Sequence, residues 1–308
     1  MEYRKYIEGK KEIYLRFLYF FDDESEINDS FKDLSAFIQI HKYLEKKEEF
    51  KAILYILNEF SKNTHRSTKL ITKIELFFSQ YEEYITQNFT QTQLFQIFRK
   101  NPRILYILFD KNIITIDDSI IELIHKQKQD YFLLRRYQGE KVPNVTNEMQ
   151  KYRNKNSIIQ NYKYYFYMFI KSKLQDEERS KIEKELLDMN ENIFEGFEKK
   201  CQIGENDSYI CKLIQHDLID EFIIYTNKIN LKLTSEITPS IFETNSLLYS
   251  KPASLIEYSA FFGSIQIFQY LRMNQIDLTA SLWLYAIHGK NPEIIHILEE
   301  CNVEPEDD

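Results

Sequence analysis

The sequence predicts an all-α fold, a solenoid of antiparallel helix pairs. Three observations lead there. Residues 253–303 contain one passage written twice, ASLIEYSAFFGSIQIFQYL (253–271) and ASLWLYAIHGKNPEIIHIL (280–298), at an offset of 27 residues. Ala253, Ser254, Leu255, Tyr258, Ile267 and Leu271 recur as Ala280, Ser281, Leu282, Tyr285, Ile294 and Leu298, and a fixed period of this size marks a stacked repeat. Through the rest of the chain, apolar residues return at helical spacing in stretches joined by short polar connections, which implies antiparallel hairpins. The 308 residues include only 6 Gly and 6 Pro, against 22 Tyr and 23 Phe. Sheets and phosphate-binding loops need Gly at turns with positive φ, so this poverty favours helices.

Taken in order, residues 3–21 are predicted as a first helix that ends at Asp22, Asp23 and Glu24. Ser30 and Asp33 have the spacing of a capping box and would open a helix through Phe31, Leu34, Phe37, Ile38 and Leu44. In residues 48–62, Phe50, Ile53, Leu54, Leu57 and Phe60 share one helical face. Ser67 is placed to cap the next helix, whose stripe is Leu70, Ile74, Phe77, Phe78, Tyr81 and Ile85.

The segment NPRILYILFDKNI (101–113) matches NPEIIHILEECNV (291–303) at an offset of 190. In both, Asn caps, Pro takes the first helical position and an apolar stripe faces a neighbour. A short helix from Thr90 precedes the first copy, so the helix-pair unit extends to the N-terminal half. Asp117 begins a helix through Ile120, Ile121, Leu123 and Ile124; its expected partner, 130–138, is stopped by Gly139. Residues 139–157 are the most loop-like stretch and the expected boundary. A Tyr-rich helix follows with Tyr162, Tyr165, Phe166 and Phe169 on one face, then a charged helix over 176–200. Lys163 and Lys171 among those aromatic residues suit base stacking, but the helical spacing favours a core-facing stripe. At Asp207 and Ser208 the pair pattern restarts as a degraded copy at an offset of 46, with Ile210 over Ile256 and Phe222 over Phe268. Residues 230–252 are a spacer. The expected organisation is therefore an N-terminal helical-hairpin domain (1–138), a loop with connecting helices (139–206), repeats (207–303) and an acidic tail (304–308).

Charged residues make up 29% and apolar residues 43% of the chain, levels that exclude wholesale disorder. The formal charge is −8, and the basic groups Arg99, Lys100, Arg103 and Lys151, Arg153, Lys155 mark turns rather than a stripe. No nucleic-acid partner is expected. No apolar run reaches the length of a membrane span, and the charged N-terminus is not a signal peptide, so neither membrane nor export is expected. Three Cys form no even disulfide framework, which suggests a reducing compartment and a cytoplasmic location. The six Gly make no nucleotide-binding loop, and no hydrolase elbow or zinc-protease motif occurs. Cys211 with His216, and His288 with His296 and Cys301, lack the close pairs of a structural zinc site. No enzyme activity, cofactor or metal is expected.

The two clean copies resemble ankyrin repeats, whose signature is T-P-L-H-x-A-A-x-x-G followed by a helix rich in E-I-V-x-L-L. Ser254, Ile256, Ser259, Ala260 and Gly263 take the Thr, Leu, Ala, Ala and Gly places, and Ser281, Trp283, Ala286, Ile287 and Lys290 take them in the next copy. The period is shorter than the usual ankyrin repeat, so the β-hairpin finger is shortened or missing, and the His of the signature is absent. GENDSYICKLI, PSIFETNSLL and SLWLYAIHGKNPEIIHILEE carry a wider resemblance, covering nearly all of the chain, to the large protozoan (trichomonad-type) families of divergent ankyrin-repeat proteins with an N-terminal domain of unknown function. That resemblance implies a right-handed α-solenoid with degenerate ankyrin repeats at its C-terminal end, and noncatalytic protein binding as a scaffold or adaptor. A regulatory subunit that occludes a partner's site would have the same sequence.

In ankyrin stacks the residue before the Ala-Ala pair and the two after it tend to face the concave groove. Those places hold Tyr258, Phe261 and Phe262, then Tyr285 and His288, and these five are the candidate protein-binding residues. Two roles stay open to them. They form an anchor surface, since Tyr and Phe bury much area at low entropy cost, or they fill the space left by the missing finger. The last helix ends in an apolar stretch with His296, Glu299 and Glu300, so self-association or partner dependence through the C-terminal repeat is also expected.

Overall fold

A computed structural model describes residues 2–22, 25–63, 69–126 and 162–305. All the secondary-structure elements among them are helices. They divide into two units, one of residues 2–126 with 162–203 and the other of residues 204–305. Residues 162–203, expected as connecting helices, thus belong with the N-terminal ones.

In the first unit, helix α1 (Glu2–Phe21) buries Ile13, Phe17, Phe20 and Phe21. Helix α2 (Ile27–Ile40) does not open at Ser30 as the spacing predicts. Glu26 is its N-cap, in extended conformation, and Ser30 lies inside, its hydroxyl donating to the Glu26 carbonyl at 2.9 Å. Asp33 instead accepts from the Arg16 guanidinium of α1 at 2.8 and 2.9 Å. An ion pair across helices has taken the side chain that a capping box needs. Leu44 lies past the helix end, beyond a turn in which Lys42 takes φ 57°.

Helices α3 (Lys47–Asn63) and α4 (Leu70–Asn88) turn their predicted stripes inward. Phe17 meets Phe60 at 5.8 Å between ring centres, and Phe50 meets Phe77 at 6.4 Å. The expected cap Ser67 lies outside the described residues. Helix α5 (Gln91–Phe98) starts with a true capping box between Thr90 and Gln93. Helix α6 (Pro102–Asp110) is capped by Asn101, which accepts from the Ile104 amide at 3.2 Å. Helix α7 (Asp118–Lys126) is held by the Asp117 carboxylate, which accepts from the Ile120 amide at 2.9 Å. The predicted helix 130–138 and its Gly139 stop lie outside the described residues.

The Tyr-rich stretch forms two short helices, α8 (Tyr162–Tyr165) and α9 (Tyr167–Ile170). Its aromatic residues serve the core: Phe166 packs on Phe109 at 5.0 Å and Phe169 on Tyr106 at 4.8 Å. The single helix expected over 176–200 is broken into α10 (Asp176–Met189) and α11 (Phe197–Ile203). Asn190 is extended at φ −157° and Gly196 takes φ 61°, so the backbone leaves the helical region at both ends of the break. Buried Arg103 donates to the carbonyl of Ile203, setting a cation at the C-terminal end of α11, where the helix dipole favours one.

The second unit is a ladder. Its helices are α12 (Tyr209–Gln215), α13 (Ile219–Lys228), a short α14 (Ser246–Ser250) in the spacer, α15 (Leu255–Phe262), α16 (Ile265–Met273), α17 (Leu282–Gly289) and α18 (Pro292–Glu300). Each of the pairs α12–α13, α15–α16 and α17–α18 packs within itself. First helices also pack on first helices (α12 on α15, α15 on α17) and second on second (α13 on α16, α16 on α18). The turn inside each pair carries a left-handed residue at the matching place of each copy: Asp217 at φ 53°, Gly263 at φ 62° and Lys290 at φ 52°.

Candidate interaction surface

The face of the ladder is best built from one helix and its copy. Ser254 caps α15 in a full capping box, its hydroxyl accepting from the Glu257 amide at 3.3 Å while Glu257 accepts from the Ser254 amide at 2.8 Å. Buried Glu257 has a second carboxylate oxygen, and it accepts from the Ser281 hydroxyl of the next copy at 2.8 Å. Ser281 itself has helical dihedral angles and caps nothing. The repeated serine has therefore changed role, from cap to bridge between copies.

Further bridges fix the stack. The Asp217 carboxylate accepts from the Gln266 and Ile267 amides at 3.1 and 3.0 Å, which places a negative charge at the N-terminus of α16. Asn291 caps α18, accepting from the Glu293 amide at 2.9 Å, and its amide donates to the Gly263 carbonyl at 2.9 Å. Helices α15 and α17 approach so closely that a Cβ on Gly289 would lie 2.0 Å from the Ala260 carbonyl oxygen. Backbone meets backbone there, and only glycine fits.

Four of the five predicted binding residues lie inside this stack. Tyr258, Phe261, Phe262 and Tyr285 are all buried, so they form core and not a groove of exposed rings. Tyr258 accepts at its hydroxyl from the Gln215 amide at 3.0 Å, and its ring meets Phe262 at 4.8 Å. Burial, with buried Cys211 beside it, raises the Tyr258 hydroxyl well above its ordinary pKa, and burial raises that of Tyr285. His288 alone keeps partial exposure, its ring over Phe261 at 5.5 Å. Burial, then the Lys290 charge, lowers its pKa. Packing of α15 against α12 on one side and α17 on the other puts the aromatic rings in the core.

The exposed apolar side chains of α17 are Leu284 and Ile287, at 52% and 62% exposure. Counting back 27 residues gives Glu257 and Ala260. Those two belong to the face of α15 that receives α17, through the Ser281 bridge and the Gly289 contact. Leu284 and Ile287 thus stand on the receiving face of the last described pair. The offset alone could have found them, because it shows which positions each copy offers to the next.

Groups with possible chemistry are placed differently. Cys201 and Cys211 are buried and Cys301 is exposed. Burial pushes the Cys211 thiol up to about 12, where it is protonated and unreactive at neutral pH. Among the described residues no cluster of His, Cys, Asp and Glu could hold a metal ion. No described helix is long and apolar enough to cross a membrane. Comparison with protein-family models, curated proteins and solved structures finds no match to the chain.

Proposed function

We propose that residues 207–303 are degenerate ankyrin repeats in an α-solenoid, and that the protein acts without catalysis as a scaffold or adaptor for a protein partner. The 27-residue period, the ladder of helix pairs and the aligned left-handed residues Asp217, Gly263 and Lys290 support the repeat reading. One observation carries the binding reading: Leu284 and Ile287 are exposed on the face that the previous copy uses to receive its neighbour. Burying two such side chains is worth about 3–5 kcal/mol before the cost of association, a sizeable share of a micromolar affinity. The contact surface is then the outward side of α17, with His288 at its margin, in place of the buried rings.

Affinity capture with the wild type and with Leu284→Ser/Ile287→Ser tests this. Both side chains are exposed, so the double variant keeps its thermal midpoint. The expected result is a partner held by the wild type and lost by the variant. A variant that folds normally and captures the same proteins in the same amounts contradicts the reading.

A further inference from the structure

Helix α1 is apolar on two sides. Ile13, Phe17, Phe20 and Phe21 face the core, as one stripe of a surface helix should. Leu15, Leu18 and Tyr19 are 45–51% exposed on the other side, while Tyr14 lies at the flank with its ring on Phe60 at 4.6 Å. Three large apolar residues within five positions form a contiguous patch, unlike the scattered singles of an ordinary surface. Beside it, between α1 and α2, runs an open groove of about 510 Å³ lined by Glu12, Leu15, Arg16, Tyr19, Asp29 and Asp33.

We propose that this groove docks a basic, apolar-faced helix of a partner protein. Leu15 and Tyr19 give it an apolar wall, which suits side chains at i, i+3 and i+4 on an incoming helix. Three carboxylates against one guanidinium leave its lining net negative, and Arg16 is already committed to Asp33 at 2.8 Å. Lys32, the cation paired with Asp29, stands 3.8 Å away with both side chains over 70% exposed. Such a pair is worth little and is easily exchanged for an incoming cation. Lysine or arginine beside the apolar stripe of the partner would therefore meet Glu12 and Asp29. The same carboxylates repel nucleic acid and anionic bilayers, which an apolar patch with a basic rim would attract. The inference does not rest on the reading of residues 207–303, and either can fail without the other.

The test uses the full chain and two fluorescent synthetic helices, one amphipathic in Leu and Lys and the other in Leu and Glu, followed by anisotropy. The Leu/Lys helix is expected to bind at least about tenfold more tightly than the Leu/Glu helix, and less tightly as salt rises. Leu15→Ser/Leu18→Ser should weaken binding by about tenfold or more. Glu12→Lys/Asp29→Lys, a change of surface charge that leaves the core untouched, should weaken it similarly and flatten the salt dependence. Glu191→Lys/Glu195→Lys, the same charge change in the exposed turn before α11, should leave affinity within about twofold. Equal loss in that control pair would reduce the effect to general attraction and overturn the proposal. So would unaltered binding by Leu15→Ser/Leu18→Ser. Light scattering adds one more arm: a wild-type dimer that this variant dissociates would assign the groove to a second copy of the chain.

Discussion

Helices α15 and α17 are two copies of one sequence pattern with different fates. Every residue of α15 from Leu255 to Phe262 is buried, whereas α17 buries only Leu282, Tyr285, Ala286 and Gly289. Composition does not explain this, because α17 carries Leu284 and Ile287 where α15 carries Glu257 and Ala260. The more polar helix is the more deeply buried. Position in the stack explains it: α15 packs against both α12 and α17, while α17 has a first-helix neighbour on one side only among the described residues. Small and hydrogen-bonded residues sit where another helix arrives, and the large apolar residues of α17 occupy the same place in the open.

The sharpest way to break the comparison is at one position in both copies. Phe261→Ala should cost about 4 kcal/mol, because it empties a fully buried site. His288→Ala, 27 residues on and partly exposed, should cost less than about 1 kcal/mol. Urea unfolding of the two variants checks this, and equal losses would remove the asymmetry.

Next in size is the contact between the two helices. Gly289→Ala puts a methyl group against the Ala260 carbonyl and should cost about 3 kcal/mol, since backbone cannot move as a side chain can. Phe262 fills the same place in the first copy, and it is likewise buried. A Gly289→Ala chain with an unchanged thermal midpoint would mean that the helices are not so close.

A smaller and opposite effect belongs to the turn. Lys290 holds φ 52° where the first copy has Gly263. Lys290→Gly should raise stability by about 0.5 kcal/mol, the relief of left-handed strain less the entropy lost by glycine. A lower melting temperature in this variant would assign Lys290 a contact that outweighs its strain.

The least effect concerns pH. With its pKa lowered in the fold, His288 binds its proton more weakly there than in the unfolded chain. Its share of stability is therefore complete above the ordinary histidine value of 6.5 and is lost as pH falls below it. His288→Phe should show a smaller fall in urea midpoint from neutral to mildly acid pH than the wild type. An identical fall would place the titration elsewhere.

What could be read from the sequence followed from local rules. The 27-residue offset located α15 to α18, and the match at 101–113 anticipated the Asn cap before Pro in α6 and α18; the left-handed Asn112 and Asn302 that the two segments also share were not anticipated. What could not be read depends on distance. Ser30 and Asp33 have capping-box spacing, but Arg16, on another helix, engages Asp33. The helix expected over 176–200 lacked an obvious breaker except Gly196, and the chain leaves the helix already at Asn190. For Tyr258, Phe261, Phe262 and Tyr285 the sequence leaves groove and core both open, because spacing shows which side a residue faces and not how near the next helix comes. Gly289 sets that nearness, and the turn chemistry of the sequence contains no hint of it. The exposed patch of α1 is not legible in the sequence either, because its apolar residues merge with the core stripe into one apolar run.

Ile287 and Ile224 allow the most direct test of the account. They are 62% and 66% exposed, Ile287 on the receiving face of α17 and Ile224 on α13. A photo-crosslinking phenylalanine analogue placed at either site has the same access to solvent. If the outward side of α17 holds a partner, the probe at 287 should join the chain to a second polypeptide and the probe at 224 should not. Equal crosslinking at both sites, or none at 287, would contradict it.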